Sequence, residues 1–307
     1  MGKALLVVNS RARQAQQKLA DVITQLDACG LQWVKVSPSR ASEIPELIRR
    51  YQSQVDRVVI AGGDGTLNAA IPGLLDTQLP LGILPLGTAN DLARTLGIPT
   101  TLADACKILT AGHLEQIDLG QVNDRYFFNV ASIGLSVQVT RNLNRETKQR
   151  WGVMAYPIAA LQALRRSRPF WASLSLDGSA PKQVQTIQIA VGNGRYYGGG
   201  MTVTAEATIK SNHFDMYSLN LQHWWQLLAI LPTMRSGDHT SWSFVDAFQA
   251  QTITVKTARP MPINTDGEIT TYTPATFQVL PQAISVFCGQ PIDPIADRSA
   301  QVVVTQE

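Results

Sequence analysis

"VIAGGDGTLN", residues 59–68, decides how this chain is read. It sets Gly62, Gly63 and Gly65 around Asp64, directly after the apolar run "RVVIA" and ahead of a stretch with helical spacing. A strand that ends in glycines and passes into a helix offers unpaired backbone N–H groups at a helix N-terminus, which is a ready phosphate site. Glycine allows φ > 0 and lets phosphate oxygens approach the backbone with no Cβ in the way. A carboxylate in that loop repels phosphate unless a divalent cation lies between them, so Asp64 points to Mg²⁺ bridging to a nucleotide. For four residues alone, a tight turn with a solvated Asp is the competing explanation. The loop is not a Walker A motif, because Lys-Ser/Thr is missing, nor a dinucleotide fingerprint, because Asn68 stands at the third glycine position.

Around this loop the chain has two characters. Its 307 residues suffice for one large or two medium cores, and two domains fit that length better. Up to about residue 120, β-rich runs alternate with helical periodicity ("ALLVV", then Ala15, Leu19, Val22 and Leu26, "DRVVIAGG", "LGILPLG", "NDLARTLG"), which predicts an α/β domain with a largely parallel sheet. Ligands on such sheets sit beyond the carboxyl ends of the strands. Beyond 120, alternating runs such as "QTITVKT" and "TFQVLPQAISVFC" predict an antiparallel β domain, interrupted by a helical insert over roughly 144–168. The balance of 26 Lys and Arg against 23 Asp and Glu gives no nucleic-acid footprint, so no nucleic acid is expected as partner. Cys29, Cys106 and Cys288 are odd in number and far apart, which suits packing thiols in a reducing compartment. "MGKALLVVNS" is too short an apolar run for a signal peptide, and no stretch approaches the ~20 apolar residues that span a bilayer. A cytoplasmic protein is expected, with membrane contact at most peripheral.

"GGDGTLNAA" (62–70) followed by "LGILPLGTANDLARTLGIP" (81–99) resembles the catalytic domain of diacylglycerol kinases and related bacterial lipid kinases, a group that includes sphingosine and ceramide kinases. "IDLGQVNDRYFFNVASIGLSVQV", "QRWGVMAYPIAALQAL", "VGNGRYYGGGMTVTAEA" and "INTDGE" continue the likeness in the same order, over nearly the whole chain. NAD kinases and phosphofructokinases share the "GGDGT" loop but do not look like this outside it. The resemblance implies a Rossmann-like α/β domain that binds ATP, over 1–120 with about 288–307 returning to it. It also implies an antiparallel β-sandwich domain over 121–287 that holds a diacylglycerol-like lipid, with the active site between them.

By that resemblance Gly62, Gly63, Asp64, Gly65, Thr66, Leu67 and Asn68 form the nucleotide loop, and Thr88 closes the same pocket. Asn9 and Ser37, at or just after other strand ends, are within its reach or simply loop residues. Glu268 of "TDGE" is the general base that takes the proton of the lipid hydroxyl, a step worth roughly 10²–10⁴ in rate; Asp266 organises Mg²⁺ or orients the base, and Gly267 allows the turn. An isolated "DGE" is also a plain hairpin turn. Asp64, Asp91 and Asp118 are the metal candidates, although Asp91 can equally cap the helix it opens and Asp118 can be structural. Asn90 is expected to cap. "YYGGGM" suits a backbone passing the acyl-chain mouth or a bulge in the sheet. The chain departs from the family at Ser211, where an aspartate would hold a structural Mg²⁺ in the second domain.

Seven basic residues between Arg141 and Arg168 against Glu146 alone, interleaved with Trp151, suit an anionic lipid surface or the solvated face of a packing helix. "HWWQLLAILP" from His223 is a second membrane candidate, unless its tryptophans fill the core. The leading expectation is an ATP- and Mg²⁺-dependent lipid kinase. An NAD kinase-like enzyme and a lipid- or nucleotide-binding protein with weakened catalysis are the alternatives. The oligomeric state is left open, a homodimer included.

Overall fold

The computed structural model of the chain describes residues 2–8, 19–142, 168–221 and 223–292. In the first domain β1 (Lys3–Val8), α1 (Leu19–Ala28), β2 (Gln32–Val36), α2 (Ile44–Tyr51), β3 (Arg57–Gly62), α3 (Asp64–Thr77), β4 (Leu81–Pro85), α4 (Asp91–Thr95) and α5 (Leu102–Ala111) follow one another. The four strands pair in parallel in the order β2-β1-β3-β4. β1, β3 and β4 are buried almost continuously, as strands covered by helices on both faces must be. Helix α2 buries Ile44 and Ile48, one turn apart, and carries Pro in its first turn, where the missing N–H costs no helical bond. The strand order reverses between β1 and β3. Ligands bind at such a switch point, beyond the carboxyl ends of the strands, and the Gly62–Asp64 loop leaves β3 there.

β5 (His113–Val122) leads into the second domain: β6 (Arg125–Phe127), β7 (Val130–Gly134), α6 (Leu135–Asn142), β8 (Phe170–Leu176), β9 (Lys182–Thr186), β10 (Gln188–Gly192), β11 (Tyr196–Tyr197), β12 (Met201–Thr202), β13 (Phe214–Leu219), α7 (Trp224–Ile230), β14 (Val245–Ala250), β15 (Thr252–Thr257), β16 (Pro262–Thr265), β17 (Glu268–Tyr272) and β18 (Ala275–Cys288). One antiparallel sheet runs β14-β13-β10-β7-β16-β17. Its inner face packs on β18, β15, β8 and β9, which extend the first domain's sheet, and Ile133, Ile189, Phe214, Met216, Ile253 and Phe277 fill the space between. Phe127 and Phe214 stack there at 5.8 Å between ring centroids.

The two-domain α/β and antiparallel architecture is the expected one, but the join differs in detail. The segment that reaches the first sheet is β18 itself, which pairs antiparallel with β15 in its first half and parallel with β4 at Val286. The tail expected to return, 288–307, lies outside the described residues from 293 on, as does the insert expected over 144–168 except its last residue. Alternation along "ATFQVLPQAISVFC" continues through a bulge between Leu280 and Ile284, where Gln282 takes φ +51°, so one strand serves the cores of both domains. Cys106 and Cys288 are buried and Cys29 half-buried, all as free thiols.

Along β18, Phe277 is fully buried while its neighbour Gln278 is exposed. Phe277→Ala should cost about 3–5 kcal/mol in urea unfolding, whereas Gln278→Ala should stay within about 0.5 kcal/mol; equal losses would contradict the sandwich packing.

Candidate active site

The loops after β3 and β4 meet backbone to backbone. A Cβ on Gly87 would lie 2.5 Å from the Cα of Gly63, and one on Gly63 would lie 2.9 Å from the Cα of Gly87. Gly63 has ordinary extended backbone (φ −108°, ψ −176°), so close approach rather than positive φ is what requires glycine here. Asn90 occupies the N-cap position of α4 in the left-handed region, yet its side chain does not cap the helix. It folds back onto Gly87, accepting from the Gly87 N–H (2.8 Å) and donating to the Gly87 carbonyl (3.0 Å). The cap comes from the neighbouring loop: Asp64 Oδ1 accepts from the Leu92 N–H at 3.1 Å. The first N–H groups of α3, those of Asp64 and Gly65, have no acceptor within the helix and open toward the cleft.

From the second domain a two-residue hairpin reaches this mouth. Thr265 and Glu268 are paired across the turn, with Asp266 (φ +47°) and Gly267 (φ +93°) both left-handed, as a tight hairpin demands. "DGE" is thus a hairpin turn, and it is brought to the mouth of the cavity. Asp266 is pinned: Oδ1 accepts from the N–H groups of Asn129 (3.0 Å) and Val130 (3.1 Å), and Oδ2 from that of Phe128 (2.7 Å) and from Asn68 Nδ2 (3.0 Å). Burial pushes this carboxyl up to about 6 against the opposing pull of those four donors. With every lone-pair direction engaged, Asp266 positions the turn and has no free face for a metal or a proton relay. Asn264 Oδ1 accepts from the Gly267 N–H at 2.9 Å, bracing the turn from inside. Glu268, the next residue, is exposed and leans over the start of α3, where a Cβ on Gly65 would lie 3.4 Å from its Oε1.

Asp91 is almost wholly buried, and both of its oxygens accept from the Gly199 N–H at 3.1 Å. Burial, and then the charge of Asp64, push its carboxyl up to about 7. Gly198, Gly199 and Gly200 all take positive φ and form the turn between β11 and β12, so "YYGGGM" is a hairpin turn whose amide grips Asp91 rather than a bulge. Among the described residues no three His, Cys, Asp or Glu side chains converge as a ready metal cluster. Asp64 and Asp91, whose charges oppose one another, are the pair a divalent cation would relieve; one or two carboxylates plus phosphate oxygens and water is a usual set for Mg²⁺.

Asp118 stands apart from this pair. It accepts from the N–H groups of Asn212 (2.7 Å) and Gln282 (2.9 Å), so it pins the β18 bulge to the 209–213 loop and cannot join Asp64 and Asp91 around one metal. In that loop the Ser211 hydroxyl sits between the Thr208 and His213 carbonyls, at 3.1 and 2.9 Å, occupying the acceptors a cation would need. The residues present do not fit the structural metal of the second domain.

Asp64, Gly65, Thr88, Asp91, Asp266, Gly267 and Glu268 line one cavity of about 750 Å³. Beneath its floor lie Gly62 and Thr66, both buried, while Leu67 is fully buried in the first domain's core and makes no side-chain contact with the cleft. Asn68 donates to Asp266 and to the Tyr126 carbonyl and does not line the cavity. Ser37 is exposed past the edge strand β2 and does not line the cavity, and Asn9 lies outside the described residues. The same cavity runs on into the second domain between the outer face of β7 and β10 and helices α6 and α7, past Leu135, Val139, Leu219, Leu227 and Met234. Sequence reasoning missed Asn129, Gln188 and Asn264 on its walls, and reached Tyr197 only through the backbone of "YYGGGM". Only Asn264, one residue ahead of "TDGE", carried a local signal.

Asp266→Asn puts an amide NH₂ against N–H donors and should lower stability by about 2–3 kcal/mol; unfolding curves with an unchanged midpoint would contradict the four-donor assignment. Asp91 titrates higher folded than unfolded. The stability that goes with its proton is therefore full below about 4 and is lost as pH rises through about 7. Asp91→Asn removes that loss, so in thermal melts without divalent cations the variant should gain on wild type from pH 5 to pH 8, and a pH-independent difference would refute the shift.

The diacylglycerol kinase catalytic domain model matches residues 3–122, and the model described as the YegS C-terminal NAD kinase beta sandwich-like domain matches residues 129–288. The chain is 32% identical over 273 residues to a diacylglycerol kinase of Mycobacterium tuberculosis, covering 86% of this chain and 87% of that one. It is 28% identical over 275 residues to a diacylglycerol kinase of Staphylococcus saprophyticus, covering 89% and 90%. A crystal structure of a diacylglycerol kinase from Bacillus anthracis has the same fold, with a TM-score of 0.75 over 95% of this chain and 98% of that one at 21% identity. With both domains matched in order and the mycobacterial relative spanning most of its length, the chain belongs to the diacylglycerol kinase family, as a diacylglycerol kinase-like lipid kinase.

Proposed function

We propose that the protein transfers the γ-phosphoryl group of ATP to a hydroxyl of diacylglycerol or a related lipid, with Mg²⁺ held by Asp64 and Asp91 and with Glu268 as general base. The observation that carries this reading is the continuity of one cavity, which has the carboxylates of Asp64, Asp91 and Glu268 beside Gly65, Thr88 and Gly267 at one end and aliphatic side chains at the other. A triphosphate needs the first kind of surface and an acyl chain the second. Only a substrate that is an alcohol at one end and a hydrocarbon at the other uses both.

The protein's own contributions follow from the geometry. The open N–H groups of Asp64 and Gly65, at the acidic end of the cavity, suit phosphate oxygens pressed against bare backbone, while Gly63 and Gly87 let the two loops meet. Bound Mg²⁺ would supply charge neutralisation on the phosphates. Phosphoryl transfer asks little covalent chemistry of a protein, so positioning and electrostatics carry most of the rate. Glu268, held over the start of α3 by the Asp266 turn, is placed to take the proton of a hydroxyl lying between the two loops. The aliphatic arm favours lipid over a dinucleotide acceptor.

A lipid substrate must be met at a bilayer surface. No helix among the described residues is long and apolar enough to cross a membrane. Trp225 is 52% exposed on α7, the helix whose Leu227 lines the aliphatic arm, and it stacks on His223. Arg141 and Arg168, the exposed ends of the basic segment whose middle lies outside the described residues, belong to the same domain. Peripheral docking on anionic lipid through these groups is consistent with a tryptophan at an interface and cations near phosphates.

Labelled ATP with diacylglycerol in mixed micelles should yield a phosphorylated lipid, whereas NAD as acceptor should yield nothing; the reverse would overturn the reading. Glu268→Gln should lower kcat by roughly 10²–10⁴ while leaving ATP affinity within about twofold. Asp64→Asn should weaken Mg·ATP more than metal-free ATP in equilibrium binding, and equal losses would remove Asp64 from the metal site.

A further inference from the structure

The aliphatic arm of the cavity has a polar relay built into its wall. Gln188 is buried with its amide orientation fixed, because its Oε1 accepts from the Ser136 N–H at 2.9 Å. Its Nε2 therefore faces the Tyr217 hydroxyl, at 3.1 Å, and must donate to it. Tyr217 is fully buried, and its hydroxyl lies 2.5 Å from that of Tyr197. One hydrogen sits between the two phenols. If Tyr197 donated it, the Tyr217 hydrogen would be left without an acceptor among the described residues, since the ring nitrogens of buried His239, whose ring meets that of Tyr217 edge-on, have no hydrogen-bond partner. A buried unmade hydrogen bond costs about 1–3 kcal/mol, and of the two phenols only Tyr197 lines the cavity, where water or a ligand can accept, so the chain of donors runs Gln188 to Tyr217 to Tyr197. Burial also holds both phenols in the protonated form: Tyr217 is pushed up to about 12, and Tyr197 is raised well above its usual value.

The relay ends with the Tyr197 hydroxyl hydrogen, for which no acceptor exists among the described residues. Tyr197 lines the cavity beside Met201, Leu219, Leu227 and Met234, whose side chains offer no oxygen or nitrogen acceptor and at most a weak thioether sulfur. Two residues further on, Gly199 grips Asp91, so Tyr197 stands at the joint between the acidic mouth and the aliphatic arm.

We propose that the Tyr197 hydroxyl, oriented by Gln188 through Tyr217, donates a hydrogen bond to the acyl carbonyl oxygen of the lipid substrate and makes this enzyme selective for ester- or amide-linked chains over ether-linked ones. This rests on the lipid-kinase reading of the same cavity. A carbonyl a few bonds from the reacting hydroxyl and at the head of a hydrocarbon chain is the acceptor that the place demands; an ether oxygen is a weaker acceptor held in a different geometry. Tyr197 in this role is a specificity residue, and Gln188 and Tyr217 are positioning residues.

The test compares a 1,2-diacylglycerol with the 1,2-dialkylglycerol of the same chain length in mixed micelles, by kcat/KM on wild type and on Tyr197→Phe. One hydrogen bond predicts that wild type prefers the ester by about tenfold. Tyr197→Phe should lose that preference, its loss confined to the ester lipid. Equal treatment of the two lipids by wild type overturns the proposal, as does a variant that loses equally on both, which is what merely structural damage would produce. Calorimetric binding of short-chain versions of both lipids reads the same selectivity without turnover. A chain that binds the ester about tenfold more tightly yet phosphorylates neither lipid would retain the carbonyl contact while refuting the lipid-kinase reading. Equal binding of both would refute the contact itself.

Discussion

The carboxylate of Asp266 is the constraint on which the site depends. It gathers three consecutive amides, those of residues 128–130, and the side chain of Asn68, a residue of the helix that begins at the glycine loop. Two domains with separate cores are thereby joined at one anion, at the point where their chemistry must meet. Donors that converge this way do more for geometry than for net stability, because the cost of burying the charge offsets much of what the hydrogen bonds contribute. What they deliver is a turn of fixed orientation. Glu268, one residue beyond Gly267, projects from a base that cannot swing.

The glycine cradle works by the same economy of space. Gly63 and Gly87 touch because neither carries a side chain, and the contact brings the ends of β3 and β4 close enough for Asp64 to cap the helix that follows the other loop. Asp64 and Asp91 then share one end of α4. Proximity of two carboxylates is unfavourable in the metal-free protein, and it is the kind of stored repulsion that a bound cation turns into affinity. The first domain thus supplies open amides and paired acids, and the second supplies a braced glutamate and an apolar channel.

Much of this was legible in the residues. The glycine-rich stretch after an apolar run, the "TDGE" turn and the change from helical to alternating periodicity gave the two domains and the cavity's acidic mouth. Other positions carried no signal for physical reasons. Leu67 sits inside the motif but points into the core, and a motif read along the chain cannot distinguish a residue's two faces. Asn90 has the side chain of a cap, yet a contact 28 positions away, from Asp64 to Leu92, took that role. Asp118 is acidic and near the domain junction, which describes both a ligand and a bracket for a bulge. Gln188, Tyr197 and Tyr217 come from three separate segments whose spacing says nothing of their meeting. The aliphatic arm is built of residues that read as ordinary core.

β18 runs from one domain into the other within a single sheet, and β5 is laddered to it on both sides of the bulge. A hinge needs a few residues free to absorb rotation, and here any bending of one domain against the other would have to tear that two-stranded spar. On the proposed reading, reactants would then enter by the peripheral loops and the apolar end of the channel, with the spacing between the open amides of α3 and Glu268 carried by the backbone itself.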